Sequence, residues 1–342
     1  MTAKARTPAR SRPRPSPASG SNQDAGARRI VLLGPQRDRP TLADTIIALK
    51  GSDVLPSGAR LATVTAGWQD REGDPELTPV DAGTEVVDLG LYAGANRVAE
   101  ADPDLAAGHH DAQRRLRELR RAYNLRLRGA MSTWTSLGAM TGDERVLEPE
   151  RADALSSIRA LDTRHLARVA EIRGVYEERF RPHERDSVQA ERAGIEQRLE
   201  DTDGLVFAGG HVATLINRLR MFDLAGLLGE LPIIAWSAGA MALGARVVLF
   251  HDRPPWGPGN AEAFEIGLGV FDGLLPLPHA TARLALDEPE RMGRLSRRFR
   301  PTVCVLLDPG TRLDRVEGRW VAEEARQVDQ RGTVSPFGAL AA

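Results

Sequence analysis

Short continuous apolar runs alternate along this chain with segments whose apolar residues recur every three or four positions. The first run, IVLLG at residues 30–34, ends in glycine, as expected of a strand buried on both faces. Residues 41–49 then have helical spacing, Arg60–Thr65 reads as a second strand leading into Ala66 and Gly67, and Glu85–Leu89 as a third ending at Gly90. The pattern resumes at Gly204 with LVFAGG, a helix through Leu215, Leu219 and Phe222, and the run Ile233–Trp236 feeding directly into Ser237. Further strands are predicted at Arg246–Phe250, Leu274–Leu277 and Val303–Leu307, with a hairpin over Arg312–Val321 turning at Glu317 and Gly318. Strands alternating with helices at these distances predict an α/β fold: a mostly parallel sheet flanked by helices, with its site at the carboxyl ends of the strands.

Between about Asp104 and Asp201 the strand signals vanish. Three segments rich in Arg, Glu, Leu and Ala appear at about 110–138, 149–180 and 184–200. Leu155, Ile158, Leu166, Val169, Ile172 and Tyr176 share one helix face in the second, and Leu116, Leu119, Tyr123 and Leu127 form a comparable stripe in the first. Pro149 suits a first helical turn, and His109 with His110 reads as a preceding surface loop. The division expected is a disordered tail over 1–28, an α/β domain in two parts at 29–103 and 204–325, a helical hairpin or small bundle inserted at 104–203, and a C-terminal tail at 326–342. The stripes are too long for a hairpin packing only on itself. They therefore fold back over the sheet edge as a lid or pair with a second subunit, and a two-fold homodimer is the preferred expectation.

Composition narrows the classes. At 342 residues and 42% hydrophobic content the chain can bury a sizeable core, and a formal net charge of -1 gives no reason to expect a nucleic-acid or membrane partner. The one cysteine, Cys304, lies in an apolar run and reads as a buried hydrophobe. No export signal or membrane-spanning run is seen, so the expected location is cytoplasmic. No metal-binding spacing occurs, and no cofactor is expected.

The chemistry is carried by LPIIAWSAGAMA at 231–242. Strand, serine and small residues followed by a helix describe a nucleophile elbow, in which the hydroxyl is pushed off the sheet edge and free helix amides point at developing negative charge. A serine that merely caps the helix is the plain alternative. Three groups stand at or just after strand ends: Ser237, Asp252 and His279. They suit a nucleophile, an orienting acid and a base. Gly209 and Gly210 could supply an amide to pair with that of Ala238 in an oxyanion hole. Trp68, Gln69 and Asp70, after another strand, are candidate rim residues. Arg283 is a candidate grip for a substrate carboxylate.

These pieces resemble the S51 peptidases, which include peptidase E and cyanophycinase, within the class I glutamine amidotransferase-like superfamily. VFAGGHVATLINRL is similar to that family's glycine-rich strand and helix, IIAWSAGAMAL to its serine elbow, VVLFHD to its acid segment and GLLPLPHA to its histidine segment. The resemblance covers 29–103 and 204–310. It implies Ser237 as nucleophile, His279 as base, Asp252 as third member with Asp308 competing, and Gly210 with Ala238 as oxyanion-hole amides. It also places Gly209 and His211 at the substrate, His211 standing where the family carries Asn or Asp-Gln. Cysteine-dependent glutaminase chemistry is excluded at this elbow. Two readings follow: a serine hydrolase acting on a small peptide or amide, or a catalytically silent binding or scaffold protein whose insertion meets a partner.

Overall fold

The computed structural model describes residues 28–78, 80–253, 259–338 and 340–341. The expected disordered tail, apart from Arg28, and the centre of the Pro/Gly-rich loop at 253–260 lie outside the described residues. Among the described residues no helix is long and apolar enough to cross a membrane.

The chain runs β1 (Ile30–Leu33), α1 (Leu42–Gly51), β2 (Arg60–Val64), β3 (Glu85–Asp88), α2 (Leu91–Ala101), α3 (Pro103–Ala139), α4 (Glu144–Phe180), α5 (Asp186–Glu200), β4 (Gly204–Phe207), α6 (Val212–Met221) and β5 (Ile233–Trp236). It continues through α7 (Ala238–Leu243), β6 (Arg246–Leu249), β7 (Glu262–Ile266), β8 (Leu274–Pro278), α8 (Ala280–Arg283), α9 (Pro289–Phe299), β9 (Val303–Leu307), β10 (Arg312–Val316), β11 (Arg319–Glu323), β12 (Arg326–Val328), β13 (Val334–Pro336) and β14 (Leu340–Ala341). The main sheet has the order β14-β11-β10-β1-β5-β4-β2-β3. From β1 to β3 all pairings are parallel, and β10, β11 and β14 extend the sheet antiparallel. This is a mixed α/β fold with a large, mostly parallel sheet flanked by helices. Every residue of β1, β4 and β5 is buried, which is why these strands read as unbroken apolar runs.

A second sheet, β13-β12-β9-β8, contains the parallel pair β8 and β9. Residues 326–336 supply two of its strands, so the chain beyond 325 is not a plain tail. Strand β7, which the sequence reading missed, pairs with β6. The hairpin of β10 and β11 turns at Glu317 and Gly318, both at positive φ, as the sequence predicted.

The insertion is dominated by α3 and α4, each 37 residues long and packed side by side. Asp102 caps α3 through the Leu105 amide, with Pro103 in the first turn, so this helix starts earlier than its apolar stripe suggested. His109 and His110 consequently lie within a helix, not in a loop. His109 packs edge-on against Tyr176, and burial lowers its pKa to about 4. Asp143 caps α4 in the same way, which leaves Pro149 inside the helix rather than at its start. Tyr123, Leu127 and Ile158 are buried together with Leu161 of α4 and Ala263 of β7, so these three stripe residues find partners within the chain.

Candidate functional site

Strand β5 delivers Ser237 at the carboxyl edge of the sheet. The residue has φ 48° and ψ -119°, a combination that L side chains rarely adopt, and its side chain makes no capping bond to α7. The plain alternative, a helix-capping serine, does not describe this geometry. Gly209 stands two residues beyond the neighbouring strand β4, and a Cβ added there would come to 3.0 Å from the Ser237 Cβ. Ser237 is 9% exposed.

Gly210 has φ 109° and its Cα backs directly onto the Gly67 backbone, so only glycine fits the turn. The next amide, of His211, donates to the Gly67 carbonyl at 2.7 Å, which ties the end of β4 to the loop after β2. His211 is the N-cap of α6: its Nδ1 accepts from the Thr214 amide at 3.2 Å and meets the Thr214 hydroxyl at 2.8 Å. Histidine thus takes over here a capping task usual for Asn or Asp. Gln69, from the rim segment, also donates to that hydroxyl at 3.1 Å and shares the backbone conformation of Ser237, with φ 58° and ψ -121°. Ala238 provides the first amide of α7, which by position has no acceptor within the helix.

His279 follows β8 and is held by its amide, which donates to the Leu307 carbonyl of β9 at 3.0 Å. Pro278 and Leu307 are register partners, so His279 and Asp308 leave their parallel strands side by side. Asp308 in turn backs onto Gly34 at the end of β1, the neighbour of β5. Its carboxylate accepts from the Thr281 amide and hydroxyl, both at 2.8 Å, and from Arg326 at 2.8 Å. Asp252 is differently engaged: it accepts from Arg291 at 2.5 Å and from the Ala285 amide at 3.2 Å. None of these bonds goes to His279. Burial lowers the His279 pKa, the Arg283 charge lowers it further, and the Asp308 charge opposes both.

Beside these strand ends lies a cavity of about 910 Å³. Gly210, His211, Arg283 and His251 form part of its wall, whereas Ser237 and His279 do not line it. The opposite wall comes from the insertion, through Gln113, Leu116, Arg117 and Arg120 of α3 and His165, Val169 and Arg173 of α4. Arg120 pairs with Glu262 and Arg173 with Glu265, which clamps both helices to β7. His165 stacks on Tyr123 with ring centroids 4.0 Å apart, and burial lowers its pKa, favouring a neutral ring. The sequence reading missed these wall residues, because arginines on a long polar helix look the same whether they face water or a cavity. Arg283 has no carboxylate partner among the described residues.

No family model matches the chain. It is 32% identical over 76 residues to peptidase E of Shewanella baltica (strain OS185), a match covering 21% of this chain and 32% of that protein. Peptidase E of Shewanella putrefaciens is likewise 32% identical over 75 residues, covering 20% and 32%. The matched segment thus spans about a third of the length of these relatives. A solved peptidase from an acI-B1 actinobacterium aligns over 92% of this chain and 95% of its own, at 16% identity and a TM-score of 0.42.

Proposed function

We propose that this protein is a serine hydrolase of the S51 type that cleaves a peptide or related amide bond through an acyl-enzyme. The observation that carries this reading is the strained backbone of Ser237, held at a strand end beside paired glycines with its hydroxyl unused by the helix it precedes. Ser237 attacks the scissile carbonyl while neutral His279 takes its proton. The Gly210 and Ala238 amides receive the developing oxyanion, and His279 then protonates the leaving amine. Water, activated by the same imidazole, releases the acyl group. Arg283, on the cavity wall and without a carboxylate partner among the described residues, is the grip for a substrate carboxylate. A fluorophosphonate probe should label Ser237 stoichiometrically and leave His279→Ala protein unlabelled. Unlabelled wild-type protein would favour the binding-protein reading instead.

For the third member we assign Asp308 rather than Asp252, reversing the preference drawn from sequence. Asp308 adjoins His279 across β8 and β9 and its charge acts on the ring, whereas Asp252 is taken up by Arg291 and the Ala285 amide. The three bonds Asp308 already accepts leave one of its about four lone-pair sites for the imidazole. The base must be neutral, and burial lowers its pKa, so the acid limb of kcat/KM is expected below the ordinary histidine range. Removing a charge that lowers the pKa, with Arg283→Gln, should move this limb to higher pH. Asp308→Asn removes a charge that raises it and should move the limb to lower pH, with kcat down by about 10²- to 10⁴-fold. Asp252→Asn should leave the limb in place. The reverse pattern in the two aspartate variants would return the role to Asp252.

A further inference from the structure

The insertion side of the cavity carries a polar pair that the proposed chemistry does not use. Asn217 of α6 and Gln113 of α3 both line it. Arg173 donates to Asn217 at 3.1 Å, and since a guanidinium can only donate, the atom it meets is the carbonyl Oδ1. Gln113 Nε2 donates to the same oxygen at 3.1 Å. The orientation of both amides is thereby determined. What they leave over is the Asn217 Nδ2 donor group, the second N–H of Gln113 Nε2 and one acceptor, Gln113 Oε1; none of these atoms is sealed and partnerless. Glu265, almost fully buried, holds Arg173 in place and neutralises it, so the network from β7 through α4 and α6 to α3 is rigid before any ligand arrives.

We infer that Asn217 and Gln113 form a subsite for an uncharged amide of the substrate, placed on the helical insertion's side of the cavity. A peptide amide or a carboxamide matches the pair, because its carbonyl accepts from Asn217 and its N–H donates to Gln113. A carboxylate cannot donate to Gln113 Oε1. Asn217 lies six positions beyond His211, about 9 Å along the axis of α6 at about 1.5 Å per residue, so the amide recognised is one other than the scissile bond. This inference rests on the serine-hydrolase reading for the meaning of "substrate", and it gives the insertion a part in substrate choice.

The test uses the full-length Ser237→Ala protein and calorimetric binding of penta-alanine, of its ester analogues with each amide N–H replaced in turn by oxygen, and of pentapeptides with Gln or Glu at single positions. One ester analogue is expected to bind about ten-fold more weakly than penta-alanine if the subsite reads backbone, whereas a Gln peptide is expected to bind about ten-fold more tightly if it reads a side chain. Gln113→Met should erase either difference. Asn217→Asp keeps the acceptor for Arg173 and Gln113 but removes the donor, and should weaken the favoured probe similarly while leaving the circular dichroism unchanged. Tightest binding by a Glu peptide, unchanged affinities in both variants, or no binding of any probe at millimolar concentration would overturn the inference. Turnover compared between wild type and Ser237→Ala tests the hydrolase reading separately, so the two failures are distinguishable.

Discussion

Ser237→Ala is expected to lower kcat by about 10⁴-fold or more with KM little changed, because it removes a group whose bond to the substrate is made only as the reaction proceeds. The fold should survive. The Ser237 hydroxyl caps nothing, and alanine occupies the same volume apart from one oxygen. Backbone strain provides a second measurement that a structural serine would not give. A residue held at φ 48° and ψ -119° costs roughly 1 to 3 kcal/mol, and glycine relieves that cost while losing about 0.5 to 1 kcal/mol through its more flexible unfolded chain. Ser237→Gly is therefore expected to unfold at the same or a higher temperature than wild type while being as inactive as Ser237→Ala. Thermal unfolding and steady-state kinetics on the two variants are sufficient. Retention of wild-type turnover by either would remove Ser237 from the mechanism, and a large loss of stability in the glycine variant would show that the strain is not what holds this turn.

What could be read from sequence follows from where each signal arises. The buried strands β1, β4 and β5 were legible because burial on both faces leaves only apolar residues, and the elbow because small residues must follow Ser237 for α7 to turn against β4. Strand β7 was not, since EAFEI places two carboxylates at positions that are buried here. Glu262 and Glu265 tolerate that burial only because Arg120 and Arg173 arrive from helices more than eighty residues away in the chain. The starts of α3 and α4 were misplaced for a different reason. Single aspartates, Asp102 and Asp143, set them by capping, ahead of the first apolar stripe residue. The choice between Asp252 and Asp308 depended on which strand pairs with β8, a property of register that no local pattern carries.

Asp162→Ala is expected to destabilise the protein by about 3 to 5 kcal/mol, the cost of leaving a buried guanidinium without its counter-charge. Arg298 is 3% exposed and Asp162 5%. Two of the arginine's nitrogens meet the carboxylate at 2.7 and 2.8 Å, and a third donates to the Ala261 carbonyl at 2.5 Å. The Tyr123 hydroxyl completes the cluster, donating to Asp162 at 2.8 Å while accepting from Arg298 at 2.9 Å and from the Ala263 amide at 3.1 Å. Burial pushes this phenol's pKa up, so it remains a donor at any working pH. The cluster joins α3 and α4 to α9 and to the start of β7, and with the Arg120–Glu262 and Arg173–Glu265 pairs it anchors the insertion against the cavity. The loss should be read by denaturant unfolding, and it should shrink when the charge it strands is removed as well: Asp162→Leu combined with Arg298→Met is expected to be more stable than Asp162→Ala alone, because an apolar pair of similar volume leaves no buried charge unpaired, only the neutral Tyr123 hydroxyl and Ala261 carbonyl. A cost below about 1 kcal/mol for Asp162→Ala would mean that water or a shift of α4 reaches Arg298, and that the insertion is held by its apolar contacts instead.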